Sequence, residues 1–159
     1  MSGSAESAEA AGVHVVTSAH LQVYTARIDC TDADALDITR MGATRAAKER
    51  ASFPGEPFAP SWEIVAAAKH SRTFVETWRK AGNDDKASEI ERRHFAQVMQ
   101  QYVAEMRASY RRHRGAWDAL LGRPRVVLCC FCTNPELCHR TVLGRDILTR
   151  MGAVFCGEV

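Results

Sequence analysis

The chain has 159 residues, 46% of them hydrophobic, enough for one ordinary globular domain whose core folds without disulfides. Lysine and arginine total 21 against 19 acidic residues, a net charge of +2, so bulk charge does not mark a nucleic-acid binder and any such binding needs a local patch. No apolar run approaches the roughly 20 residues of a membrane helix, and the opening MSGSAESAEAAG lacks the basic and apolar regions of a secretion signal, so a cytoplasmic protein is expected.

Residues 1–12 are small and polar without periodicity and read as a disordered tail, leaving residues 13–159 as a single α/β domain. His20 to Ile28 alternates as a strand does and ends at the polar turn Asp29-Cys30-Thr31-Asp32. Ala35 to Thr39 reads as a second short strand that delivers Asp37, Thr39 and Arg40 to its far end. Between Met41 and Pro60 the prolines and glycines predict a surface loop, with a helical turn around Arg45 to Ala51. Ser61 has the form of an N-cap for a helix that carries Ile64, Val65, Ala68, Phe74, Val75 and Trp78 and ends near Ala81-Gly82-Asn83.

Ala87 to Leu121 holds the best helical stripe in the chain, including Ile90, Phe95, Val98, Tyr102, Met106 and Trp117, and its length predicts two helices or one kinked near Gly115. Arg123-Pro124 breaks it. Val126 to Cys132 is a continuous apolar run, the pattern of a central strand buried on both faces. Thr133 to Leu137 is turn chemistry. Cys138 to Met151 returns to helical spacing, Gly152 caps it, and Ala153 to Cys156 makes a last strand.

Strands alternating with helices predict a mostly parallel central sheet flanked by helices, a Rossmann-like three-layer α/β architecture with right-handed crossovers. In such sheets ligands sit beyond the carboxyl ends of the strands. That rule gathers Arg27, Asp37, Thr39, Arg40, Asn134 and the stretch Cys132 to Arg140.

The densest chemistry lies at Cys138-His139-Arg140. A thiol at a helix start is lowered in pKa, so Cys138 is the expected thiolate. His139 is the expected proton carrier, and Arg140 has the fork geometry for a phosphate or carboxylate. The bland reading is a buried small Cys138 with His139 and Arg140 satisfying loop carbonyls or pairing with Asp37. A strand, a Cys-bearing loop and Arg-Thr at a helix start are similar to the phosphate loop of cysteine phosphatases. That loop, however, has five residues between nucleophile and arginine, and seven separate Cys132 from Arg140.

Two other readings stand beside this one. Cys130 and Cys132 share one strand face, and with Cys138 and His139 they make a soft donor set for zinc, although C-x-C is not the C-x2-C of zinc knuckles. Inert buried thiols explain Cys129 and Cys130 equally well. Arg107, Arg111, Arg112, Arg114, Arg123 and Arg125, interleaved with Tyr110, His113 and Trp117, form a basic face for nucleic acid, or a solvated helix face. Phe58 to Trp62 reads as the mouth of the site or as a loop packed on the sheet.

The stretch Val126 to Thr141, an apolar strand followed by an acidic-proline loop and Cys-His-Arg, resembles the signature of the domain of unknown function 488 family, which includes the YeaO-like proteins. Val23-Tyr24-Thr25, Asp37-Ile38-Thr39-Arg40 and the helix from Phe95 to Met106 are similar to further features of that family, so the resemblance covers most of residues 21–150. An extra Thr lies between Ile38 and Arg40, and the Pro-rich stretch 52–60 has no counterpart in the pattern. The resemblance implies a compact α/β fold and no particular reaction. The expectation is therefore a strand-end pocket for an anionic small molecule or nucleotide, held by Arg140 and Arg40, oriented by Asp37, and served by Cys138 and His139 for any catalysis.

Overall fold

The computed structural model describes residues 19–159; the expected tail at residues 1–12 lies outside them. Four strands, β1 (Gln22–Arg27), β2 (Ala35–Asp37), β3 (Arg125–Cys130) and β4 (Val154–Glu158), form one parallel sheet in the order β2-β3-β1-β4. Val23 lies opposite Val126, Thr25 opposite Leu128 and Arg27 opposite Cys130, so the ends of β1 and β3 are level. The α/β class with a parallel central sheet flanked by helices is thus what the chain adopts. The apolar run predicted as a central strand is β3, with Val126, Val127 and Leu128 wholly buried.

Thr39 ends the second strand early. Its hydroxyl accepts from the Gly42 amide and caps α1 (Arg40–Glu49), a ten-residue helix where the sequence had predicted loop with one helical turn. A short 3-10 turn follows at Glu56–Phe58. Gly55 lets this loop lie on the end of β2: a Cβ there would fall 1.7 Å from the Asp37 carbonyl oxygen.

Helix α2 (Trp62–Lys80) is capped by Ser61 and α3 (Asp84–Arg112) by Asn83, and the two pack as an antiparallel hairpin. The break before α4 (Arg114–Leu121) falls at His113 rather than Gly115. After β3 comes a 3-10 turn at Pro135–Leu137, then α5 (His139–Thr141), which passes directly into a π-helical segment Val142–Ile147 and a 3-10 turn Leu148–Met151. Gly152 closes it at φ 97°.

Alternation along the strands divides the core. Val23, Leu36, Val126 and Leu128 join Phe58, Ile64, Tyr102, Met106, Trp117, Leu143 and Leu148 in the main cluster. Each such buried side chain contributes on the order of 2 kcal/mol. Ala26, Val127 and Cys129 form a smaller cluster with Tyr24, Ile28 and Cys30. No helix of the described residues is long and apolar enough to cross a membrane.

Candidate functional site

Alternation also sends the two adjacent cysteines of β3 to different places. Cys129 joins the smaller cluster, where burial pushes its thiol up to about 11. Cys130 points the other way, beyond the end of the main core, where the chain turns twice and returns. Asn134 holds that turn by accepting from the Glu136 amide, and Glu136 pairs with Arg145 at 3.1 Å. The result brings the sulfurs of Cys130, Cys132 and Cys138 within 4.8 Å of one another.

His139 completes the group. Its Nε2 lies 3.1 Å from the Ile38 carbonyl oxygen, which can only accept, so the ring proton is on Nε2 and the bare Nδ1 faces the sulfurs. Nδ1 is 3.7 Å from Cys130 Sγ and 3.9 Å from Cys138 Sγ. The Tyr102 ring fixes the imidazole edge-on, at 5.3 Å and 70°. Burial pushes His139 below its ordinary value, so it is a neutral imidazole.

The three thiols of the cluster act on one another's protonation. Hydrogen bonds with Cys132 and Cys138 hold the Cys130 thiol below its ordinary value, with Arg140 adding to the effect. Hydrogen bonding to Cys130 and Cys132, then burial, pushes Cys138 up, and hydrogen bonding to Cys130 pushes Cys132 up. The expected helix N-terminus at Cys138 opens on three residues of α-helix that pass directly into the π-helical segment.

Arg140 is wholly buried. Burial opposes its charge, but Glu158 on β4 outweighs it: Nη2 lies 2.7 Å from Oε1 and Nε lies 3.3 Å from Oε2. Nη1 donates to the Cys132 carbonyl at 2.8 Å and points at Cys138 Sγ at 3.4 Å. Its partner Glu158 is desolvated, yet the bonds from Arg140 and Thr25 hold its carboxyl below the usual range.

The thiol cluster is the floor of a cleft of about 490 Å³ walled by α2, α3 and the Phe131–Cys138 loop. Trp62, Ile64, Val65, Phe95, Val98, Met99 and Phe131 make most of the lining apolar, and Trp62 and Phe131 are about half exposed. Its charged lining is Arg40, Arg72 and Arg79 against Glu91. Arg79 pairs with Glu91 at 2.6 Å, whereas Arg72 is exposed at the rim and makes no ion pair among the described residues.

The wall toward α1 is the Pro-rich loop, and polar side chains engage its carbonyls one after another. Arg40 Nε donates to Pro60 at 2.7 Å and Nη2 to Ala59 at 3.1 Å. Tyr102 donates to Phe58 at 2.7 Å, and Ser109 donates to Pro57 while accepting from Trp117 Nε1 at 3.2 Å. Glu105 accepts from the Ser61 amide at 3.0 Å. Phe58 packs edge-on to Trp117 at 4.9 Å.

Of the residues singled out in the sequence, Thr39, Arg40, Asn134, Cys138 and His139 line the cleft together with Cys130 and Cys132. Arg140 stands behind the floor, engaged by Glu158. Asp37 accepts from the Thr39 amide at 2.8 Å and supports the start of α1 from outside the cleft. Arg27 is exposed at the end of β1, opposite Cys130 in the register but not in the lining. The Phe58–Trp62 stretch divides: Phe58 is buried in the core, and Pro60 and Trp62 line the cleft. The basic face is partly neutralised, since Arg125 pairs with Asp32 and Asp34, and Arg114 pairs with Asp118 and lies over the Tyr110 ring. Arg72, Phe131 and Glu158 carry no local motif and were not among the expected residues.

A family model described as the active DUF488-N3 subclade matches residues 23–152. No curated protein and no solved structure matches the chain.

Proposed function

The chain belongs to the DUF488 family, and from that premise we propose that it binds an anionic small molecule or nucleotide in the cleft above the thiol floor. The observation that carries the reading is the cleft's make-up: an apolar trough wide enough for a ring, with three arginines against one glutamate and the Cys-His group at its base. The flat part of the ligand lies between Trp62, Phe95 and Phe131, and its anion meets Arg72, with Arg79 behind it. Arg40 adds positive charge from the loop side, while Arg140 holds the floor in shape. Chemistry on the bound molecule falls to Cys138 and His139, with the half-buried Cys132 as the sulfur nearest the opening; the description of the matching subclade as active is in keeping with this. Six free cysteines fit a reducing, cytoplasmic setting.

The test is a titration of purified protein with mononucleotides and phosphorylated sugars, followed by the fluorescence of Trp62, with Trp62→Phe identifying the signal. A saturable change for at least one of them, weakened by Arg72→Glu, is the expected result. No saturation by any anion, or equal binding by Arg72→Glu, contradicts the reading.

A further inference from the structure

We propose that Cys130, Cys132 and Cys138, with Nδ1 of His139, bind one zinc ion. The three sulfurs already lie within 4.8 Å of one another with no disulfide between them. A tetrahedral zinc with bonds of about 2.3 Å to sulfur and 2.0 Å to nitrogen sets its donors about 3.8 Å (sulfur to sulfur) and about 3.5 Å (sulfur to nitrogen) apart. Cys130 and Cys132 are 3.9 Å apart, and His139 Nδ1 stands 3.7 Å from Cys130 and 3.9 Å from Cys138. These three separations are close to the tetrahedral values although the spacing departs from a zinc knuckle in sequence, because Cys130 and Cys132 straddle the end of β3 and the loop folds Cys138 back over them.

Two contacts around the group point the same way. A histidine that ligates through one ring nitrogen characteristically donates its other N–H to a carbonyl or carboxylate, and the Nε2 of His139 has the Ile38 carbonyl at 3.1 Å. Three thiolates around a divalent ion leave one negative charge, and the wholly buried guanidinium of Arg140 directs Nη1 at Cys138 Sγ from 3.4 Å. Thiol sulfur is a weak acceptor and thiolate a strong one, so this donor has its best use against a metal-bound thiolate. The cleft supplies the entry path, since Cys132 is only half buried at its base. Soft sulfur ligands with one imidazole select zinc over magnesium or calcium.

Zinc on Cys138 and His139 would take the place of the chemistry proposed for those two side chains, but it needs no ligand in the cleft, so zinc binding and anion binding stand or fall separately. Reduced, chelator-treated protein is given one equivalent of zinc, and the six cysteines are alkylated and mapped by peptide mass, with no anion present. Zinc is expected to abolish labelling of Cys130, Cys132 and Cys138 and to leave Cys156 unchanged, with one cobalt ion in its place giving sulfur-to-metal charge transfer and the intense visible bands of a tetrahedral site. His139→Gln is expected to weaken zinc by at least the roughly 10- to 100-fold that loss of an outer-shell partner costs, because it removes a ligand itself. Unchanged labelling of the three cysteines with zinc, or cobalt bands of an octahedral, sulfur-free ion, overturns the proposal without touching the ligand titration above.

Discussion

The floor of the cleft and the loop that walls it both gather polar side chains, and these end in opposite conditions. In the wall, each polar side chain ends on a backbone carbonyl or amide: Arg40 on Pro60 and Ala59, Tyr102 on Phe58, Ser109 on Pro57 and Glu105 on the Ser61 amide. In the floor, the three sulfurs and the Nδ1 of His139 face one another, and the anchors from outside are the Ile38 carbonyl on His139 Nε2 and Glu158 on Arg140. Buried polar groups are ordinarily satisfied. Where they converge on each other instead, they make the donor set proposed above for zinc, whereas the wall's side chains have already found their partners. An arginine in a strand-end motif is therefore weak evidence for an anion until its partners are known.

Substitutions that loosen the wall or the floor separate the two. The largest effect is expected from Trp117→Ala, which removes the partner of Phe58 and the donor to Ser109 together: a loss of about 4 kcal/mol in chemical denaturation. Arg140→Met follows at about 3 kcal/mol, because it strands the Glu158 carboxylate and the Cys132 carbonyl. If Arg140 served an anion rather than the fold, that variant would keep its stability and lose only binding. Tyr102→Phe takes away one buried hydrogen bond to the loop and costs about 1.5 kcal/mol, with a smaller effect marking the loop as able to satisfy Phe58 from water.

Acid sharpens the comparison further. The Glu158 carboxyl is held below its ordinary value near 4.5 in the folded chain. Its contribution is therefore present above that value and is lost as the pH falls through the lower folded one. Glu158→Gln is expected to be less stable at neutral pH and to show a shallower decline on the acid side. An acid limb identical to the parent's would mean the Arg140 pair does not govern it. The smallest effect on stability belongs to Arg72→Glu, expected to stay within about 0.5 kcal/mol of the parent while the anion titration changes.

Much of the frame is legible in the residues themselves. The unbroken apolar run at Val126 to Cys130 marks the strand buried on both faces, and Ser61 marks the start of α2 because a serine before an apolar-periodic stretch has few other uses. Thr39 carried the same signal for α1, but the glycine at Gly42 and the prolines that follow masked it. Cys138, His139 and Arg140 were recognisable as a group, while their roles were not. Arg140 is claimed by Glu158, eighteen residues on and on another strand, a pairing that only the β1–β4 register creates. The cleft itself is a product of the α2–α3 hairpin leaning over the end of β3, and neither helix alone shows that its apolar face has a gap. The π-helical turn at Val142–Ile147, which follows directly on α5, has no signature in composition at all.

The most direct test of the cleft is the alkylation rate of Cys132 in metal-free protein, measured with and without an anion that saturates the Trp62 signal. The ligand proposed here lies over the floor, so bound anion should slow Cys132 labelling while leaving Cys156, exposed on β4, unchanged. Labelling of Cys132 at the same rate under saturation would place the anion somewhere other than the cleft.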